Sequence, residues 1–197
     1  IDYAFYNNKS RTELTTQIFD ANDQKNGNDV VLRGNIPSNI DIYSAKVDYS
    51  HPFKNGIKLE AGLKTSFVKT DNQVVYLRSS GSAWETDDRS NHFVYEENIN
   101  AAYAIFSKSI KKWELTAGLR VENTNATGHQ IKSDSSFKRK YTNLFPNAGV
   151  SYNANEKNQF NFSYSRRIAR PDYDDLNPFV FFLDSLTYGQ GNPYLQP

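Results

Sequence analysis

Charged residues recur at every second position in two stretches of this chain, a spacing that lines a surface rather than building a reaction centre. Lys58, Glu60 and Lys64 interleave with Ile57, Leu59, Ala61 and Leu63, and Glu114, Arg120 and Glu122 interleave with Trp113, Leu115, Ala117, Leu119 and Val121. Successive side chains of an extended chain point to opposite faces, so each stretch gathers its charges on one face and its apolar groups on the other. A mixed-charge lining of this kind can hold or pass a polar solute. A second concentration joins Arg166, Arg167 and Arg170 to Asp172, Asp174 and Asp175. It reads as a charge lattice bracing a loop, with ligand contact at a mouth as the functional alternative. Exposed charges of this type are more often structural or solvated.

Reaction chemistry finds little support. His51, His92 and His129 are far apart and show no ligand spacing for zinc, and the chain has no Cys. Asp172, Asp174 and Asp175 fail the order of a calcium loop because Asn177-Pro178 follows. Glu96 and Glu97 are neighbours on an extended stretch, so their carboxyls face opposite ways and do not form an acid–base pair. No nucleophile elbow, phosphate loop or dinucleotide fingerprint is present. No catalytic residue, metal site or cofactor is assigned, and the chain reads as a non-enzyme. Lys plus Arg is 23 against 22 Asp plus Glu, a balance that argues against nucleic acid as partner. Lys138-Arg139-Lys140 is a basic run suited to lipid phosphates, although a solvated loop base is the commoner use. Trp84, Asp87, Asp88 and Arg89 are loop residues available to a ligand, but their spacing encodes no ligand class.

Extended elements must carry these side chains. Alternation runs through about 57–70 and 113–125, each beyond the usual strand of about five or six residues and long enough for a tilted membrane-spanning strand of about 9–11. It also marks Tyr43, Ala45, Val47 and Tyr49 against Ser44, Lys46, Asp48 and Ser50, and sets Ile99, Ala101, Tyr103 and Ile105 against Asn98, Asn100, Ala102 and Ala104. Eight segments are expected, at about 1–6, 11–19, 39–50, 57–70, 92–106, 113–125, 140–152 and 159–170. Short connections (7–10, 51–56, 107–112 and 153–158) alternate with long polar ones (20–38, 71–91, 126–139 and 171–194). An outer-membrane barrel has short turns at one end and long loops at the other. Mean hydropathy is −0.72, low as in a wall with one polar face. The chain has 13 Tyr and 13 Phe, rings that barrels place in interfacial girdles. It starts at Ile1 and contains no Met, which reads as a slice of a longer protein.

The stretch from Tyr164 to Pro197 carries a resemblance. Tyr164-Ser165-Arg166-Arg167-Ile168, Arg170-Pro171, then Leu176-Asn177-Pro178, then Gly191-Asn192-Pro193 with Leu195 and Pro197, resembles the TonB-dependent receptors, in particular their Bacteroidetes-type outer-membrane branch. Leu183-Asp184, Thr187-Tyr188, Leu144-Phe145-Pro146-Asn147 and Ala117-Gly118-Leu119-Arg120 are similar to the same family, and the likeness covers about residues 40–197. Pro171 ends ladder pairing, Gly191 permits a turn, and Asn192-Pro193 restarts an extended chain.

The resemblance implies an all-β antiparallel up-and-down meander, about eight strands of a larger transmembrane barrel of about 22. Residues 1–197 would be one barrel segment without its plug or remaining strands. It further implies the bacterial outer membrane, membrane lipid as surroundings, and a plug and an energy-coupling protein as partners. The complete protein would take up a scarce small ligand such as an iron chelate, a vitamin or a glycan. Lys58, Glu60, Lys64, Glu114, Arg120 and Glu122 would face the lumen, and Gly62 and Gly118 would leave room there. A soluble or surface β-sheet module binding carbohydrate, and an outer-membrane barrel without energy coupling, stand beside this reading.

Overall fold

The alternating pattern builds longer strands than polarity alone suggests. The computed structural model describes residues 1–81, 83–183 and 187–196. Its elements are β1 (Asp2–Thr16), β2 (Val30–Pro52), β3 (Ile57–Ser80), β4 (Trp84–Thr86), β5 (Asn91–Ile110), β6 (Trp113–Gln130), β7 (Ser135–Asn155) and β8 (Asn158–Ser165), followed by α1 (Tyr173–Leu176), β9 (Val180–Phe182) and β10 (Tyr188–Gln190). Seven long strands form one antiparallel meander in the order β1-β2-β3-β5-β6-β7-β8, while β4 pairs with β3, and β9 with β10 makes a separate hairpin.

Several boundaries differ from the sequence reading. Segments 1–6 and 11–19 are one strand, because Asn7 through Ser10 continue the ladder opposite Asn39 through Ile36. Much of 20–38, 71–91 and 126–139 is also strand, leaving connections of 17–29, 81–90 and 131–134. Polar residues dominate these stretches and give them the look of loop, while the few apolar ones, Leu32, Val74, Tyr76 and Ala126, face a buried cluster. The 131–134 connection is a tight turn, so short and long connections do not alternate strictly. At the far end β8 stops at Ser165 rather than near residue 170.

The register sorts side chains onto two faces. Lys58, Glu60 and Lys64 of β3 share a face with Ile105, Tyr103 and Ala101 of β5 and with Glu114, Arg120 and Glu122 of β6. The segment after β8 folds back over the loop end of this same face. It seals a cluster of Leu32, Val74, Tyr76, Phe93, Tyr95 and Ala126 under Leu176 and Phe179. Burying a Phe side chain fully contributes about 1.5–3 kcal/mol. Phe93 and Phe179 are each 1% exposed, so this cluster anchors the returning segment. Three glycines on the covered face lie directly opposite rings: Gly34 opposite Tyr76, Gly62 opposite Tyr103, and Gly128 opposite Phe137. A Cβ on Gly62 would sit 2.6 Å from the Tyr103 ring, so the missing side chain is occupied by its neighbour.

The other face is open and carries an apolar band. Its loop-end limit is Phe5 on β1, Tyr43 on β2, Phe67 on β3, Ala102 on β5, Val121 on β6, Leu144 on β7 and Tyr164 on β8. Tyr43 lies opposite Phe67, but Phe67 lies opposite Asn98, four residues beyond Ala102. Leu144 is likewise four residues beyond Ala148, the partner of Tyr164. The band therefore slopes across the ladder, as it must when strands tilt relative to a flat apolar layer. Aromatic rings mark both margins. Tyr3, Tyr43 and Phe67 neighbour one another at 4.8 and 6.3 Å toward the loop end. Trp113 and Tyr152 (4.5 Å) and His51 and Phe53 (4.5 Å) mark the turn end.

Candidate functional site

The covered face below the aromatic cluster is a lattice of charges. Lys46 Nζ lies 2.6 Å from Asp48, whose carboxylate also accepts from the Tyr103 hydroxyl at 2.6 Å. Lys58 pairs with Glu60 at 2.8 Å. Arg120 donates twice to Glu122, through Nη2 at 2.6 Å and Nε at 3.0 Å. Lys64 and Glu114 share this face and make no ion pair among the described residues. Across the ladder Lys64 stands opposite both Lys46 and Ala101, and Ala101 stands opposite Glu122. All six residues expected on one face are thus together on it. Lys46, Asp48 and Tyr103 complete the lattice. The first two were visible in the alternation of 43–50, whereas Tyr103 had been grouped with the apolar side of its strand.

Glu122 differs from the other carboxylates because its side chain is only 6% exposed. It also accepts from Arg170, at the root of the returning segment. The arginines expected to pair with Asp172, Asp174 and Asp175 do otherwise. Arg170 goes to Glu122, and Arg166 donates to the Leu144 carbonyl at 3.3 Å while its amide donates to the Pro146 carbonyl at 3.2 Å. Arg167 is exposed. Asp172 and Asp175 are occupied with each other's backbone as a capping box at the start of α1. Carboxylates there satisfy amides that a helix leaves unbonded. They serve the turn, and so are not available to brace the arginines.

The two distant halves of the Leu-Asn-Pro and Gly-Asn-Pro pattern meet in space. Gly191 donates its amide to the Asn177 carbonyl at 3.0 Å, and Asn192 donates to the Asp175 carbonyl at 2.6 Å. A Cβ at Gly191 would lie 2.5–2.7 Å from the carbonyl oxygens of Asn177, Asp174 and Asp175. Gly191 is not among the positive-φ glycines, so it is needed for close approach and not, as expected, to permit a turn. Leu176 and Asn177 are buried, at 3% and 2% exposed, as is Pro178, whose carbonyl accepts from Gln190 at 2.8 Å. Pro193 accepts from Arg139 of β7. Pro171 is half-buried between Arg170 and the capping box. Asp184 and Pro197, also part of the resemblance, lie outside the described residues.

Tyrosines fasten the segment to the wall. Asn72 donates to the Tyr173 hydroxyl at 2.7 Å, and the Tyr76 hydroxyl donates to the Val180 carbonyl at 2.7 Å. Burial pushes the Tyr173 phenol well above its ordinary range and keeps it protonated. Of the residues expected in a loop, Trp84 opens β4 opposite Ser79 while Asp87 and Arg89 follow that strand, and all three are engaged with their own surroundings. Arg33 lies over Trp84 at 4.3 Å, and Arg89 is paired with Asp87 and lies over Phe182 at 4.4 Å.

The model of the outer membrane protein β-barrel family matches residues 1–197. No curated protein matches the chain. Among solved structures, the chain is similar to the crystal structure of the ferric citrate transporter FecA in its unliganded form. The identity is 16% and the TM-score 0.50, over 77% of this chain and 26% of that one. A likeness at that identity is one of fold, and the chain spans about a quarter of the FecA chain's length. Because the family model runs the length of the sloping two-faced wall, this chain belongs to the outer membrane protein β-barrel family, with its place in the bacterial outer membrane.

Proposed function

We propose that the chain is a stretch of wall from a TonB-dependent receptor, whose complete form takes up a scarce nutrient by energy-coupled transport. The observation that carries this reading is the position of residues 166–196. The segment that holds the receptor-like residues turns back over the charged face instead of projecting away from the wall. That placement supports the covered face as the lumen and the open apolar band as the lipid face. A solute entering from the loop end would meet the aromatic cluster first and the lattice of Lys46, Asp48, Arg120 and Glu122 below it. Mixed charge at close quarters suits a polar ligand held loosely enough to be passed on, such as an iron chelate, a vitamin or a glycan. A plug would fill the lumen of the complete protein, and an inner-membrane energy-coupling protein would engage it.

The test uses the complete receptor, purified in detergent, and the periplasmic domain of the host's energy-coupling protein in a surface-binding assay. Saturable micromolar binding, strengthened when a transported ligand is present, is the expected result. Absence of binding across that range would remove energy coupling and leave a barrel of another kind.

A further inference from the structure

The open face is not uniformly apolar at its loop end. A shallow groove of about 510 Å³ lies where Ala45 and Ala102 leave space between Leu63 and Val121. Directly above it runs a ladder of amides and hydroxyls. Thr65 donates to Asn100 at 2.8 Å, Asn100 to Asn98 at 2.5 Å, Asn125 to Asn123 at 2.8 Å, and Asn123 to Thr142 at 2.9 Å. Above the ladder Lys140 stands opposite Asn125 and Lys138 opposite Thr127. Both lysines are exposed and neither has a carboxylate partner among the described residues. Elsewhere on this face Lys69 is paired with Glu96 at 3.4 Å and Arg33 with Glu13 at 2.7 Å, while Lys9 and Arg11 of β1 make no ion pair among the described residues but stand away from the groove and its ladder. Arg166 adds a third positive charge at the top of the apolar band, beside Leu144.

We infer that this strip binds a phosphorylated, acylated glycolipid of the outer leaflet. The inference rests on the reading above that the open face meets lipid with its loop end outward. Three zones follow one another in the order such a lipid presents its parts. An acyl chain fills the groove over Ala102. The ester and amide carbonyls and sugar hydroxyls meet the Asn–Thr ladder. The phosphate lies against Lys138 and Lys140, with Arg166 at its flank. A neutral lipid would leave the two lysines uncompensated, whereas a phosphate supplies charge-assisted acceptors where the wall supplies no acid. The groove is continuous with the apolar band, so the occupant enters sideways from the leaflet and not through the lumen.

The complete receptor in detergent is titrated with diphosphoryl hexa-acyl lipid A and with its dephosphorylated form, and bound lipid is counted by native mass spectrometry. Each lysine is expected to contribute about fivefold, so Lys138→Gln with Lys140→Gln should weaken binding of the diphosphoryl lipid about twenty-fivefold and leave the dephosphorylated form nearly unchanged. Ala102→Phe, which fills the groove, should weaken both. Lys9→Gln with Arg11→Gln removes the same charge from β1, away from the groove, and should change neither. Equal binding by the lysine variant and the unaltered protein, or an equal loss in the β1 control, would overturn the site. The titration is done in detergent, so its failure is separate from a failure of the orientation, which labelling in cells reads.

Discussion

Glu122 holds the wall and the returning segment together through one carboxylate. Its neighbours Arg120 and Arg170 are both cations, and the side chain is almost closed to water. Replacing it with Gln leaves Arg170 facing Arg120 without compensation. A fully buried pair broken in this way costs about 3–5 kcal/mol. Arg170 retains part of its hydration, so about 2–3 kcal/mol against docking of the segment is expected. Amide hydrogen exchange at Gly191 and Asn192 would report it as loss of protection. Gly191→Ala should act at the same amides by steric means, at about 1–3 kcal/mol, because three carbonyl oxygens occupy the space of the new methyl. Unchanged exchange in the Ala variant would mean that the close approach is not maintained. The six lattice residues were legible from alternation alone, since a period of two needs no knowledge of the fold. Glu122's partner was not, because Arg170 lies 48 residues away, and three nearer aspartates offered themselves first.

Strand β5 shows where alternation misleads. Ile99, Ala101, Tyr103 and Ile105 look like its apolar side, yet the register puts them on the covered face with Lys64 and Glu122. Ala102 and Ala104 point the other way, into the sloping apolar band, flanked above by asparagines. Small residues on one side and larger apolar ones on the other invert the hydrophobicity ranking, and only pairing with β3 and β6 resolves it. Ala104→Arg should therefore impair assembly into the outer membrane, at about 2–4 kcal/mol for a charge facing mid-bilayer, while Ile105→Arg should be tolerated. Heat-modifiable migration of the membrane-inserted receptor distinguishes the two; the reverse outcome would mean that the faces of β5 are exchanged. Leu119→Arg on β6 should behave like Ala104→Arg. The long polar stretches above the band were hidden for a related reason. Polar residues outnumber the apolar ones there and mask Leu32, Val74 and Tyr76, although the strands pair from Val30 with Ser80 onward, with a gap opposite Ile36-Pro37.

Across the whole wall, the long connections at 17–29 and 81–90 and the segment after β8 lie at one end, and the turns at 53–56, 111–112 and 156–157 at the other. The chain has no cysteine, so single cysteines at Ser135 and Asn155 of a cysteine-free receptor would be unique reporters. With a membrane-impermeant maleimide on intact cells, label is expected at Ser135 and not at Asn155. Equal labelling of the two would overturn the spanning orientation. The meander and, outside β5, the two faces of its strands could be read from the sequence because both follow from local patterning. The slope of the band and the return of the segment could not, since each depends on register between strands.

The contrast between wall and returning segment also has a mechanical meaning. Along the path from β1 to β8 each long strand is stitched to its neighbour by rows of backbone bonds, interrupted only opposite Ile36-Pro37 and by a register shift near Asn155 among the described residues, and these rows resist shear together. Residues 166–196 hold to that wall by a few side-chain bonds from Asn72, Tyr76, Glu122 and Arg139 and by apolar packing. Under load the compliance of this region resides in the segment. A pull on this wall would therefore shift the segment before it parted the strands.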